Sequence, residues 1–105
     1  MDVSAKHEGN QLELALKGEL DHHGAKGLLT CLEQEIQRSL PLVLVLDFSG
    51  VTFMDSSGIG IVLGRYKVVS KGGGRLRIIN ANRRVERILR MAGIFSIAEY
   101  RQRRA

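Results

Sequence analysis

A chain of 105 residues, 44% hydrophobic and 26% charged, has the size of one domain with its own core and needs neither a disulfide framework nor a structural metal to fold. Its longest apolar run is far short of the ~20 residues that cross a bilayer, and Met1-Asp2-Val3 has neither the basic start nor the apolar core of a signal peptide. The formal net charge of +5 resides largely in Arg83, Arg84, Arg87, Arg90 and the tail Arg101-Gln102-Arg103-Arg104, without interleaved aromatics or a recognised nucleic-acid module, so it describes a solvated basic face able to steer an acidic partner.

Met1 to His7 alternates weakly, and Glu8-Gly9-Asn10 signals a turn. Gln11 to Leu20 then alternates well, with Leu12, Leu14 and Leu16 on one face. The two stretches read as a hairpin. Asp21 caps a helix whose apolar stripe is Ala25, Leu28, Leu29, Leu32 and Ile36. Cys31 lies on or near that stripe as a buried thiol; standing alone, it excludes an intrachain disulfide and fits the reducing cytosol. Pro41 ends the segment, and the apolar run Leu42 to Phe48 reads as a strand buried on both faces.

Phe53-Met54-Asp55-Ser56-Ser57-Gly58-Ile59-Gly60 follows. Asp55, Ser56 and Ser57 have the chemistry of a helix cap. The helix after them carries Ile59, Val62, Leu63, Tyr66 and Val69 and ends near Ser70. Lys71-Gly72-Gly73-Gly74 has no Lys-Ser/Thr after it and precedes a strand, so it is a helix stop and turn rather than a phosphate-binding loop. Leu76 to Ile79 is a short strand. Asn80-Ala81-Asn82 caps a third helix with Val85, Ile88, Leu89 and Ala92 inward and Gly93 as its stop. Ile94 to Tyr100 reads as a final strand, and 101–105 as a frayed basic tail.

The order β-β-α-β-α-β-α-β predicts an α/β fold over 1–105: a single mixed, largely parallel β-sheet, opened by a hairpin and covered by helices. Sites in such sheets form where the strand C-termini gather. The turns at Asp21 and at Asp55-Ser56 both leave such ends and are expected to be neighbours.

Two hydroxyls at a helix start sit where unpaired N–H groups and a partial positive charge favour a phosphate; the same residues also serve as a plain cap. Gly58, Gly60 and Gly64 line the Ser56 helix, either to let it pack closely on a neighbour or to leave a flat surface for a partner. His22 and His23 beside Asp21 lack a third ligand in the sequence pattern, so no metal and no cofactor is expected. Ser56 or Ser57 with His22 or His23 and an aspartate would suit a hydrolytic triad. However, the G-x-S-x-G elbow is missing and no insertion walls off a substrate pocket.

Gly18-Glu19-Leu20-Asp21-His22-His23, Thr52-Phe53-Met54-Asp55-Ser56-Ser57-Gly58 and Leu63-Gly64-Arg65-Tyr66-Lys67, in this order, resemble the STAS-domain anti-sigma factor antagonists of Gram-positive bacteria. The resemblance runs from about Gln11 to about Phe95 and is nearest to the sporulation branch, which acts on the anti-sigma-F factor. It implies a cytoplasmic protein switch rather than an enzyme. The unphosphorylated form binds an anti-sigma factor that is also a serine kinase and so releases a sigma factor. The kinase uses ATP to phosphorylate Ser56, and a serine phosphatase reverses the step. The resemblance also implies a partner-binding edge at Asp21, His22, His23, Asp55, Ser56, Ser57, Gly58, Ile59 and Gly60. A STAS protein of another pathway, a general stress antagonist or a lipid-transport subunit, is the alternative. The glycine-rich loop at Gly72-Gly73-Gly74 and the short basic tail depart from the family pattern.

Overall fold

Alternating leucines set the first half of the sheet. In the computed structural model, which describes residues 1–103, β1 (Asp2–Glu8) and β2 (Gln11–Leu20) pair antiparallel across Gly9-Asn10. Gly9 has φ +59, the left-handed conformation a tight hairpin turn demands. Leu12, Leu14, Leu16 and Leu20 are buried on one face. α1 (His22–Ser39) then buries Ala25, Leu28, Leu32 and Ile36, which repeat at helical spacing. Cys31 is only half-buried, at the margin of the stripe rather than inside it.

β3 (Val43–Met54) continues past the expected end at Phe48. Its first half, with Leu44, Val45, Leu46 and Phe48, is buried, as befits a strand flanked on both sides. Its second half contains Ser49-Gly50 and Thr52, which interrupt the apolar pattern while the backbone stays extended. Gly50 is needed there: a Cβ would lie 2.7 Å from the Leu16 carbonyl oxygen. β2 follows β3 along its length through two register irregularities, at Ala15/Lys17 and Gly18/Glu19.

α2 (Ser56–Lys71), β4 (Arg75–Ile79), α3 (Arg83–Met91) and β5 (Glu99–Arg101) complete the order. Among the described residues the strands form one sheet, β1-β2-β3-β4-β5, parallel at every pairing except β1–β2. The expected mixed α/β sheet, opened by a hairpin, is the observed one. α1 and α2 pack against each other, and α3 packs against β3.

Further expected features differ. Ala92, expected on the inward stripe of the third helix, is exposed and lies just past the end of α3. The inward face of α2 is Gly58, Ile61, Val62, Arg65 and Val69, whereas Ile59 and Tyr66 are half-buried and Leu63 is exposed. The true face includes a glycine and an arginine, which a reading of apolar spacing does not count. The final strand is also shorter than Ile94–Tyr100. After Gly93 at φ +79, residues Ile94–Ser96 form a 3-10 turn, and the Ile94 carbonyl accepts from the N–H groups of Ile97 and Ala98. Burying Ile94 in the core takes precedence over extension.

Order reaches into the tail. The Arg101 carbonyl accepts from Asn80 N–H at 3.0 Å, Arg103 N–H donates to Asn80 Oδ1 at 2.6 Å, and the Arg103 guanidinium meets Glu13 at 2.7 Å. Arg104 and Ala105, the end of the tail expected to fray, lie outside the described residues.

Candidate functional site

The ends of β2 and β3 bring the two capped helices together. Leu20 pairs with Met54, and Asp55 N–H donates to the Leu20 carbonyl at 3.4 Å. Asp21 and Asp55 are therefore adjacent turns at one sheet edge, as the topology predicts. Each aspartate caps its own helix. Asp21 Oδ1 accepts from Gly24 N–H at 2.8 Å, and Asp55 Oδ1 accepts from Ser57 N–H at 2.8 Å. The bond from Gly24 is the main cause holding the Asp21 carboxyl below its ordinary pKa, with a smaller electrostatic contribution from His23.

Because Asp55 is the cap, Ser56 is not required for that task. Ser56 is the first residue of α2 and exposed, and its hydroxyl makes no hydrogen bond among the described residues; Ser57 is half-buried. A phosphate on Ser56 would stand at the positive end of the helix dipole, with the negative Asp55 beside it.

The three glycines divide by role. Gly58 is buried, and a Cβ there would lie 2.4 Å from Met54 Cγ and 3.0 Å from Leu20 Cδ2. It lets the first turn of α2 sit down on the strand ends. Gly60 and Gly64 meet nothing within 4 Å. They keep the outer face of α2 low and open, beside Ser56 and Leu63 at helical spacing. Phe53, just before the cap, is 42% exposed, and Leu63 is 37% exposed. These two exposed apolar side chains, one at the end of β3 and one about two helical turns after Ser56, add to the residues singled out from the sequence. Leu63 is hidden from a sequence reading because its spacing suits an inward stripe.

His22 and His23 are exposed, with ring centroids 6.0 Å apart in an edge-to-face arrangement. Among the described residues neither hydrogen-bonds to Ser56 or Ser57, and no group of three metal-ligating side chains occurs. Depressions of about 240 to 270 Å³ lie elsewhere on the surface, and Ser56 lines none of them. The arrangement offers an exposed nucleophilic hydroxyl on a shallow, partly apolar face. It suits recognition by a macromolecule better than enclosure of a small substrate.

The STAS domain family model matches residues 2–104. The chain belongs to the STAS domain family. It is 37% identical over 97 residues to the anti-sigma F factor antagonist of Paenibacillus polymyxa, covering 92% of this chain and 83% of the relative. It is 29% identical over 99 residues to the anti-sigma-B factor antagonist of Bacillus subtilis (strain 168), covering 94% and 89%. Among solved structures, the Bacillus cell fate determinant SpoIIAA in its phosphorylated form has the same fold, with a TM-score of 0.73 at 24% identity over 94% of this chain and 90% of that one. In this STAS chain the capped edge at Asp21 and Asp55 lies within the matched residues 2–104. Among the described residues no helix is long and apolar enough to cross a membrane.

Proposed function

We propose that this STAS chain, acting as one unit over 1–105, is an anti-sigma factor antagonist controlled by phosphorylation of Ser56. Its unphosphorylated form binds an anti-sigma factor that is also a serine kinase, and a sigma factor is released. Phosphate transferred from ATP to Ser56 ends that binding, and a serine phosphatase restores it. The chain is substrate and ligand in this scheme, not catalyst, and works in the cytoplasm where sigma factors act.

The observation that carries this reading is the exposed Ser56 hydroxyl, left uncommitted because Asp55 supplies the cap bond to Ser57. Around it, Asp21, His22, His23, Asp55, Ser57, Ile59 and Gly60 form the proposed contact edge. Gly58 contributes from beneath by seating α2 on Met54 and Leu20. The names of the relatives support antagonism of an anti-sigma factor. The greater identity to an anti-sigma F factor antagonist than to an anti-sigma-B factor antagonist favours the sporulation pathway over the general stress pathway, which is the second reading.

Incubation with a candidate anti-sigma kinase and ATP, followed by phosphopeptide mapping, tests the proposal. One phosphate on Ser56 is the expected result. Phosphate mainly on Ser57, or none with anti-sigma kinases of either pathway, would overturn it.

A further inference from the structure

Arg65 sits on the inward face of α2 and is only 6% exposed. Its Nε and Nη1 are buried and donate to no acceptor among the described residues. The nearest carboxylate oxygen, on Glu33 of α1, is 4.0 Å from Nη1, close enough to offset charge but too far for a hydrogen bond. Buried donors without acceptors are costly, so such a group marks a place where an acceptor is missing.

Arg65 lines a depression of about 250 Å³ between α1 and α2, together with Glu33, Ile36, Gln37 and Val68. A second depression of about 240 Å³ shares Ile36 and Val68 and is otherwise walled by Leu40, Pro41, Val69 and Gly72. Taken as one groove, the two are polar at the end that holds Arg65 and Glu33 and apolar at the other. Leu40 is 78% exposed and Val68 48% exposed at the apolar end. Leu40 also holds φ +46, a left-handed helix-ending conformation in which glycine is the usual residue. A leucine thus stands, against backbone preference, at the mouth of an apolar hollow.

We propose that this groove, at the C-terminal ends of α1 and α2 and away from Ser56, binds a single-chain amphiphile whose anionic head pairs with Arg65 and whose alkyl tail lies toward Leu40 and Gly72. The positions of Arg65 and Gly72 are about 10 Å apart along α2, roughly the length of an extended chain of about eight to ten carbons. At the apolar end the backbone donors are already engaged: Leu40 N–H donates to the Ile36 carbonyl, Gly72 N–H donates to the Val69 carbonyl, and Pro41 has no N–H. A peptide strand laid there would find no free N–H for its carbonyls, whereas an alkyl chain has no such groups to satisfy. Glu33 is on the exposed side of the polar end, its side chain 56% accessible, and swings outward as the anionic head takes its place beside the guanidinium. Carboxylate and phosphate heads share this chemistry.

The test is a titration of the full chain, followed by amide, methyl and Arg Nε–H resonances, with decanoate, decyl phosphate, decanol and decyltrimethylammonium, each below its micelle concentration. Saturable shifts at Ile36, Val68 and the Arg65 Nε–H with one or both anions are expected, and the tighter anion identifies the preferred head. Arg65→Met, which keeps an apolar side chain of similar length, should weaken binding by roughly tenfold or more, the loss of a charge-assisted pair. Glu33→Gln should tighten it, since the competing carboxylate is gone. Equal binding of decanol, or saturation at other residues, would overturn the proposal. So would an acidic, leucine-rich hexapeptide that shifts the same resonances at lower concentration than decanoate. If Arg65→Met fails to fold, Glu33→Gln decides: unchanged or weaker binding rejects the assignment.

Discussion

Asp55 N–H donates to the carbonyl of Leu20 at 3.4 Å, so the last residues of β2 and β3 finish side by side and aim two helix starts at one edge. Gly58 is what allows α2 to follow that contact, because Met54 and Leu20 occupy the space a side chain would need. Gly58→Ala should therefore push the first turn outward and cost about 1–3 kcal/mol, as overpacking does. Gly60→Ala and Gly64→Ala have open space and should stabilise the helix by up to about 1 kcal/mol. Urea unfolding of the three variants checks this, and a Gly58→Ala protein as stable as Gly60→Ala would contradict the seating role.

The Ser56 variants separate charge from capping. Since Asp55 accepts the Ser57 N–H, Ser56→Ala should change stability by less than about 0.5 kcal/mol, whereas Asp55→Ala should cost about 1 kcal/mol. Phosphoserine adds about −1.5 to −2 charges at neutral pH. Buried against a partner that supplies no new cation, this charge should cost about 3–5 kcal/mol, roughly a hundredfold to several thousandfold in affinity. Ser56→Asp, with one charge and less bulk, should show part of that loss, and Ser56→Ala should bind the anti-sigma partner at near wild-type strength. Calorimetric titration of each variant, with circular dichroism as the folding control, is the measurement. Equal affinities for the Asp and Ala variants would reject an electrostatic switch.

Asp21 gives an acid-side prediction. Its carboxyl is held below the ordinary value of 3.8, chiefly by the hydrogen bond from Gly24. A lowered folded-state pKa stabilises the fold above the unfolded value, and that contribution is lost as pH falls through the folded value. Carbon-13 titration should find Asp21 protonating below 3.8. Asp21→Asn should flatten the fall in stability over that acid range.

Tyr100 gives the alkaline counterpart. Burial, followed by its hydrogen bond and charge interaction with Glu86, pushes its phenol from 10.0 up to about 12. Here the folded pKa is raised, so the contribution is complete below the unfolded value near 10 and is lost as pH rises toward 12. Ultraviolet difference titration should show one tyrosine ionising late in the wild type, and Tyr100→Phe should remove that step. Phe95, stacked on the ring at a centroid distance of 4.6 Å, maintains the burial, so Phe95→Ala should lower the Tyr100 value.

The sequence by itself determined the order of elements, the hairpin, both aspartate caps and the adjacency of Asp21 to Asp55. Each of these rests on local chemistry: leucines at period two, apolar residues at helical spacing, a short polar side chain before a helix, and the rule that parallel strands end together. The family motifs also lie in contiguous stretches, which is why they are readable in one dimension. Tertiary structure decided the rest. The strand through Ser49-Gly50 exists because β2 pairs along it, although its own residues do not signal it. The burial of Arg65, the exposure of Leu63 and the different tasks of Gly58 and Gly60 depend on which way α2 is rotated against Leu20, Met54 and α1. That rotation is fixed by contacts between residues far apart in the chain, and residue spacing along a single helix carries no record of them.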